Sequence, residues 1–233
     1  MNTKHHTISS AKSFLSALLL AAGLMFGAPA VRADHLPPVL PPYPLVHSAW
    51  SAAWWQWAME HPLDGHPMLD DPSFDVRSGQ RGPVWFLAFP FGTVERHVTI
   101  PFGKWLFVPL MNAEASDLEG LGATKNERRD NARFLADHIT RVGFEIDGVA
   151  VPNLDSYRFT SPQFSFNAPS PWIFGETGGR GKSVADGYFV MVTPLCKGTH
   201  TIHITGAFHF SIAEGDPFDF DAEADVTYYI TVR

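Results

Sequence analysis

A carboxylate-bearing segment near the middle of the chain is the first place where residue types and spacing could do chemistry. Asn112, Glu114 and Asp117 follow a strongly apolar run that is typical of a buried strand. Two nearby carboxyl groups in different surroundings can hold different protonation states, as a general acid and a general base require. Glu114 and Asp117 could therefore act together in hydrolysis. The alternative is that Asn112 and Glu114 bind loop backbone while Asp117 and Glu119 are solvated.

Four histidines form the second candidate group. His200, His203 and His209 lie close together near the C-terminus, and His97 lies elsewhere in the chain. Alternation along an extended strand places His200 and His203 on opposite faces, so they are not a ready-made ligand set. Zinc or copper could still bind if His97 or Glu114 came alongside, since both metals accept imidazole and carboxylate ligands. Otherwise these are hydrogen-bonded sheet histidines. In an enzyme, His203 would join the two carboxylates as a third catalytic group.

A tract of acidic residues near the C-terminus is the other metal candidate. Its members are Asp216, Asp219, Asp221, Glu223 and Asp225. Oxygen ligands of this kind suit calcium, but the spacing is not that of an EF-hand loop. The same pattern is typical of a charged, solvated strand edge that resists edge-to-edge pairing. The sequence therefore predicts no cofactor, with zinc, copper or calcium as alternatives.

The aromatic content points to a binding surface as an alternative to catalysis. The chain has seven tryptophans and 19 phenylalanines, and such rings usually fill a core. Trp172 lies in a Pro- and Gly-rich stretch that reads as a loop, and Trp55 lies off the main stripe of a predicted helix. Either ring, flanked by the Asn112 amide, could form an exposed platform for a small molecule or an extracellular glycan.

The elements that must position these groups are mainly strands. Trp50, Trp54 and Trp57 recur at helical spacing and predict a helix over residues 47–61. A second helix begins at Thr124, because Thr124 and Glu127 match the capping box. The remaining runs are short, rich in β-branched and aromatic residues and separated by turn pairs. The sequence predicts a mainly β protein, an antiparallel, jelly-roll-like β-sandwich with two helices, the first of them Trp-rich.

The N-terminal segment predicts export. Residues 1–33 combine a cationic start, an apolar run and a small-residue cleavage site, as a secretory leader does. A proline-rich extended segment (34–46) and a single β-sandwich domain (47–233) follow. The protein is expected in the periplasm or outside the cell, with no membrane span once the leader is removed. A net charge of −7 argues against nucleic acid as a partner. The single cysteine, Cys196, is interpreted as a small buried residue.

Several strings of residues resemble a family of secreted bacterial proteins whose members are uncharacterised. They are Trp54-Trp-Gln-Trp57, Gly82-Pro-Val-Trp-Phe-Leu-Ala88, Pro109-Leu-Met-Asn-Ala-Glu114 and Gly198-Thr-His-Thr-Ile202. The resemblance runs through most of the chain after the leader. It implies a secreted fold and carries no activity with it.

Two classes of function remain open from the sequence. A ligand-binding or envelope-associated module would use Trp55 or Trp172 as its platform. A hydrolase or lyase acting on an extracellular polysaccharide would instead bring Glu114, Asp117 and a histidine into one cleft, with or without a metal. The oligomeric state is not predicted.

Overall fold

Two five-stranded sheets pack together and enclose much of the apolar core of the chain. The computed structural model describes residues 37–69 and 74–233. The predicted leader, residues 1–33, and the first three residues of the proline-rich segment lie outside the described residues. The architecture confirms a mainly β, sandwich-like protein with two helices.

The elements follow one another in a simple order. The helices are α1 (Pro44–Met59) and α2 (Lys125–Asp137). The strands are β1 (Val84–Phe86), β2 (Gly92–Ile100), β3 (Trp105–Ser116), β4 (Ile139–Ile146), β5 (Val149–Ala150), β6 (Arg158–Thr160), β7 (Phe164–Ala168), β8 (Gly179–Val192), β9 (Gly198–Phe210) and β10 (Phe220–Val232). Within the described part of the chain, no helix has the length and apolar character needed to cross a membrane.

Both sheets are mixed, whereas the sequence predicts purely antiparallel ones. The first sheet has the order β1-β3-β8-β6, with β7 also paired to β8, and the second has the order β2-β10-β9-β4-β5. Strand β1 runs parallel to β3, and β2 runs parallel to β10. The chain passes through β2 in the other sheet between β1 and β3, so it returns in its original direction. Turn residues in the sequence indicate only pairings between consecutive strands. They therefore do not predict the pairing of β1 with β3 or of β2 with β10.

Alternation along the strands builds the core between the sheets. In β10, one set of side chains is buried in this core: Ala224, Val226, Tyr228, Ile230 and Val232. The residues between them face solvent or are half-buried, as a strand with one covered face requires. Burial of each large apolar side chain contributes about 1.5–3 kcal/mol.

Helix α1 covers the opposite face of the first sheet and creates a second, aromatic core. Trp54, Trp55 and Trp57 pack there with Phe107 of β3 and Phe189 of β8. The helix begins at Pro44, so residues 44–46, which were predicted as extended, form its first turn. Proline fits the first helical position because the N–H that it lacks has no partner within the helix.

Helix α2 begins as predicted. The Thr124 hydroxyl accepts a hydrogen bond from the Glu127 backbone N–H (3.2 Å), and the Glu127 carboxylate accepts one from the Thr124 N–H (3.0 Å). Its alanines, Ala132 and Ala136, are fully buried. Ala132 packs with Ala115 and Val184 of the first sheet.

An irregularity in β3 decides which way the candidate residues point. The pairing of β3 with β8 shifts between Pro109 and Asn112. Before the shift, Val108 faces the core between the sheets. After it, Glu114 pairs with Ala185, which belongs to the core under α1. A one-residue shift moves side chains to the other face of a sheet. The shift therefore turns Asn112 and Glu114 toward the helix side.

Gly187 makes this irregularity possible, which gives a prediction about stability. A Cβ atom on Gly187 would lie 2.4 Å from the Cα atom of Asn112, and its φ of +142° is one that L residues rarely adopt. Gly187→Ala is expected to lower the free energy of unfolding by about 3 kcal/mol, because strain and a backbone clash add. Chemical denaturation measures this loss.

Gly179→Ala is the matched control. Gly179 has the same φ of +142°, but no atom of the described residues would lie within 4 Å of its added Cβ. Gly179→Ala should lower the free energy of unfolding by only about 1–2 kcal/mol, from backbone strain alone. Equal losses in the two variants would mean that the close approach to Asn112 does not constrain the fold.

Candidate functional site

A pocket of about 330 Å³ lies where α1, β3, α2, β9 and β10 contribute side chains to one concave surface. This size suits a small molecule, since ligand sites occupy roughly 300–1,000 Å³. Eleven of its lining residues are apolar: Trp55, Met68, Phe91, Ala113, Leu121, Leu135, Phe174, Phe208, Phe210, Phe218 and Phe220. The polar lining residues are Asn112, Glu114 and Glu119. We call this the aromatic pocket.

The rings that line this pocket are unusually accessible for phenylalanines. Phe91, Phe174, Phe218 and Phe220 each expose between 40% and 51% of their surface. Single exposed apolar residues are ordinary, but several that share one concavity mark a ligand or interaction site. The pocket is therefore open to solvent along an apolar rim.

Glu114 is the buried ionisable group of the pocket. Only 4% of this residue is exposed, and its Oε2 atom accepts a hydrogen bond from the Ser183 hydroxyl. Burial raises the pKa of Glu114 well above its ordinary value, and the neighbouring Glu119 carboxylate raises it further. The Ser183 hydrogen bond opposes this effect, because it favours the charged form. The protonated form of Glu114 is thus favoured.

The partner of Glu114 is Glu119, which replaces the predicted Asp117. The Ser116 hydroxyl donates to Glu119 Oε2 (2.6 Å) and accepts from the Glu119 backbone N–H (3.2 Å), so the turn after β3 folds back. Asp117 instead accepts a hydrogen bond from the Lys182 backbone N–H (2.7 Å) and faces Arg128 at 3.6 Å. The spacing Ser116-x-x-Glu119, with Glu114 and Ser116 on one strand face, is a sequence signal that could have identified Glu119.

Two other residues of the pocket carry buried polar atoms that lack a partner among residues 37–69 and 74–233. Asn112 uses its amide N–H to bind the Leu110 carbonyl (2.7 Å), but its Oδ1 accepts nothing there. The indole Nε1 of Trp55 likewise finds no acceptor, and Glu114 Oε1 finds no donor. An unmet buried group costs about 1–3 kcal/mol, so such groups are rare without a reason. The predicted residues Trp55, Asn112 and Glu114 thus meet in one pocket.

Trp172 does not form the exposed platform that the sequence predicts. Only 3% of it is exposed. It stacks on Phe166 (5.8 Å between ring centres) and meets Phe174 edge to face (5.4 Å). Backbone hydrogen bonds with Gly175 fold this loop tightly, which brings the ring onto β7. Its observed role is to support Phe174 of the pocket.

The predicted metal ligands are spread over the second sheet and do not converge. Three of the histidines each bind a different aspartate: His200 with Asp147 (2.8 Å), His203 with Asp225 (2.8 Å) and His209 with Asp221 (2.7 Å). His97 stacks on Tyr229 with ring centres 4.7 Å apart. Among the residues that the structure describes, no three His, Cys, Asp or Glu side chains form a group that could hold a metal. His203 is also separated from Glu114, since it belongs to the other sheet.

The acidic tract is engaged in local contacts. Asp216 accepts a hydrogen bond from the Ser211 backbone N–H (2.7 Å) and also binds His138 (2.8 Å). Asp219 accepts from the Ile212 N–H (2.8 Å). Together with the histidine pairs of Asp221 and Asp225, these contacts give the tract a structural role in the segment before β10 and between β9 and β10.

Cys196 is exposed, contrary to the interpretation of it as a buried residue. Its sulfur lies 3.5 Å from Nε2 of His200, and the same nitrogen lies 3.0 Å from the Cys196 carbonyl oxygen. The histidine therefore binds the turn before β9 on one side and Asp147 on the other. The turn leaves the short thiol side chain outside both cores.

Comparison with known proteins adds no name to this geometry. No protein-family model, curated protein or solved structure matches the chain. The resemblance to secreted bacterial proteins stays a prediction, and functional inference rests on the site itself.

The buried carboxyl pair gives a prediction about pH and stability. Because the pKa of Glu114 is raised in the folded protein, the folded state holds its proton more tightly than the unfolded state does. Its contribution to stability is full below its ordinary pKa of 4.5 and is lost as the pH rises through the folded value. Glu114→Gln should therefore gain stability relative to the native protein as the pH rises above the ordinary pKa of 4.5, by at most about 1.4 kcal/mol per pH unit.

Two further variants identify the partner in this titration. Glu119→Gln should reduce the loss of stability at high pH, because the Glu119 carboxylate raises the pKa of Glu114. Asp117→Asn should leave the loss of stability at high pH unchanged. Parallel stability curves for Glu114→Gln and the native protein, measured by urea unfolding, would contradict the assignment.

Proposed function

We propose that this chain is an exported protein that binds a small, largely apolar molecule in the aromatic pocket. One observation carries the proposal: buried polar atoms of Trp55, Asn112 and Glu114 lack protein partners among the described residues, and all three residues line the same apolar pocket. A bound molecule would satisfy these atoms while its body contacts the rings. The location outside the cytoplasm follows from the predicted leader, residues 1–33.

The character of the lining favours an apolar ligand over the predicted glycan. A sugar carries hydroxyl groups around most of its edge, whereas the polar lining residues in the described part of the chain are Asn112, Glu114 and Glu119. Each hydroxyl buried against a phenyl ring without a partner would cost about 1–3 kcal/mol. Flat aromatic or alkyl surfaces match the remaining rings without this cost.

Hydrolysis is the second candidate, supported by the carboxyl pair. Glu114 has a raised pKa and lies beside Glu119, and two carboxyl groups with different protonation states can serve as acid and base. In this version Glu119 takes the place of Asp117 and no histidine takes part. Glu114→Gln separates the two candidates, since it should abolish the turnover of chromogenic ester or glycoside substrates while leaving binding of an apolar probe intact.

An apolar fluorescent probe tests the binding function. N-phenylnaphthylamine, whose emission rises in apolar surroundings, is expected to bind the native protein with one saturable site. Phe218→Ser removes one of the pocket rings. It should weaken binding of the probe by about tenfold, because the contact between probe and ring is worth roughly half the burial free energy of a phenyl side chain. Fluorescence titration gives both dissociation constants.

Phe102→Ser provides the matched control. Phe102 is 56% exposed and Phe218 is 41% exposed, but Phe102 does not line the aromatic pocket. Its replacement should leave the affinity for the probe within about twofold. A lack of saturable binding by the native protein, or equal losses in the two variants, would refute the proposed site.

A further inference from the structure

Resting on the proposed binding function, we infer that the aromatic pocket selects an uncharged molecule with a single hydroxyl group on an apolar body, that is, a phenol or an apolar alcohol. The inference names the chemistry of the ligand from the few polar groups of the pocket. It goes beyond the binding of apolar molecules in general, since it specifies which polar group the ligand presents and which side chains receive it.

The charges around the pocket exclude an anionic ligand. Two of its polar lining residues are glutamates, and none of the described lining residues is Lys, Arg or His. The Glu119 carboxylate is held in place by the Ser116 hydroxyl (2.6 Å). A ligand carboxylate, sulfate or phosphate would therefore lose its hydration and meet a like charge with no cation to compensate.

A cationic ligand fits less well than a neutral one. An ammonium group only donates hydrogen bonds, so the Trp55 indole N–H would remain without an acceptor. Burial also raises the pKa of Glu114 and so disfavours one of the two negative charges that would attract a cation. The pocket is thus arranged for a group that both accepts and donates.

A hydroxyl group meets this requirement, because it both accepts and donates a hydrogen bond. Its oxygen can accept from Trp55 Nε1, and its proton can go to Asn112 Oδ1 or to Glu114 Oε1, the buried atoms that lack partners among the described residues. Asn112 and Glu114 lie two residues apart in β3 and share a strand face. Because few polar atoms of the described lining residues are left open, the structure accommodates one hydroxyl and leaves the rest of the ligand to the phenyl rings.

The fixed positions of these atoms make the selection specific. Asn112 is held through its own amide N–H to the Leu110 carbonyl (2.7 Å). Trp55 is 3% exposed and packs edge to face on Trp54 (5.1 Å between ring centres). Neither group can turn to water without breaking these contacts. A site built to hydrogen-bond a hydroxyl rejects the analogue without it, since its buried groups are then left unpaired.

Three probes with the same two-ring body test the inference: naphthalene, naphthol and naphthoate. Naphthol is expected to bind at least about tenfold more tightly than naphthalene, as two modest hydrogen bonds predict. Naphthoate, an anion at neutral pH, should bind at least about tenfold more weakly than naphthol. Fluorescence titration of the purified protein gives the three dissociation constants.

Trp55→Phe checks that the selection comes from the pocket. This variant keeps a ring but removes the indole N–H, so it should lower the affinity for naphthol by about fivefold and leave that for naphthalene nearly unchanged. Trp85→Phe is the matched control, because Trp85 of β1 is similarly buried at 5% but belongs to the core between the sheets and does not line the pocket. It should leave the ratio of the two affinities as in the native protein.

The possible results separate this inference from the proposed function. If N-phenylnaphthylamine binds and the three naphthalene probes bind equally, the binding function stands and the selection of a hydroxyl is refuted. The same holds if naphthoate binds most tightly. If neither N-phenylnaphthylamine nor any naphthalene probe binds, the proposed function itself fails, and the inference fails with it.

Discussion

Burial of the first sheet on both faces is the constraint on which the rest of the structure depends. The second sheet covers one face and helix α1 the other, so neighbouring residues such as Phe107 and Val108 are both fully buried. A carboxyl group placed in such a strand loses its hydration and must be neutral or well bonded. Glu114 meets this condition through a raised pKa, the Ser183 hydroxyl and the adjacent Glu119. The chemistry of the pocket follows from this desolvation.

The irregular register in β3 connects this constraint to the ligand site. With regular alternation, Glu114 would point into the apolar core between the sheets. The shift opposite Gly187 turns it toward the helix side, where Ser183 and the aromatic rings meet. This orientation of Glu114 requires glycine at position 187 of β8, since any side chain there would collide with Asn112. A local backbone feature thus sets the polarity of a pocket built from five elements.

The tryptophans of α1 show how similar residues acquire different roles. Trp54 donates its indole N–H to the Leu87 carbonyl (2.7 Å), and Trp57 donates to the Ser78 carbonyl (3.0 Å). Both are therefore structural members of the core. Trp55 has the same chemistry but no acceptor among the described residues, which makes it available to a ligand. Composition and helical spacing identify the three together but cannot separate them.

The sequence by itself determined the mainly β character, the Trp-rich helix and the Thr124 capping box, because periodicity, capping and turn chemistry are local properties. It also singled out Trp55, Asn112 and Glu114 as candidates. Only the tertiary structure decided that these three share a pocket, that Glu119 is the neighbour of Glu114, that Trp172 is buried and that β2 pairs with β10. Apart from the local turn between Ser116 and Glu119, those outcomes depend on contacts between distant segments and on one backbone irregularity, and neither of these leaves a pattern along the chain.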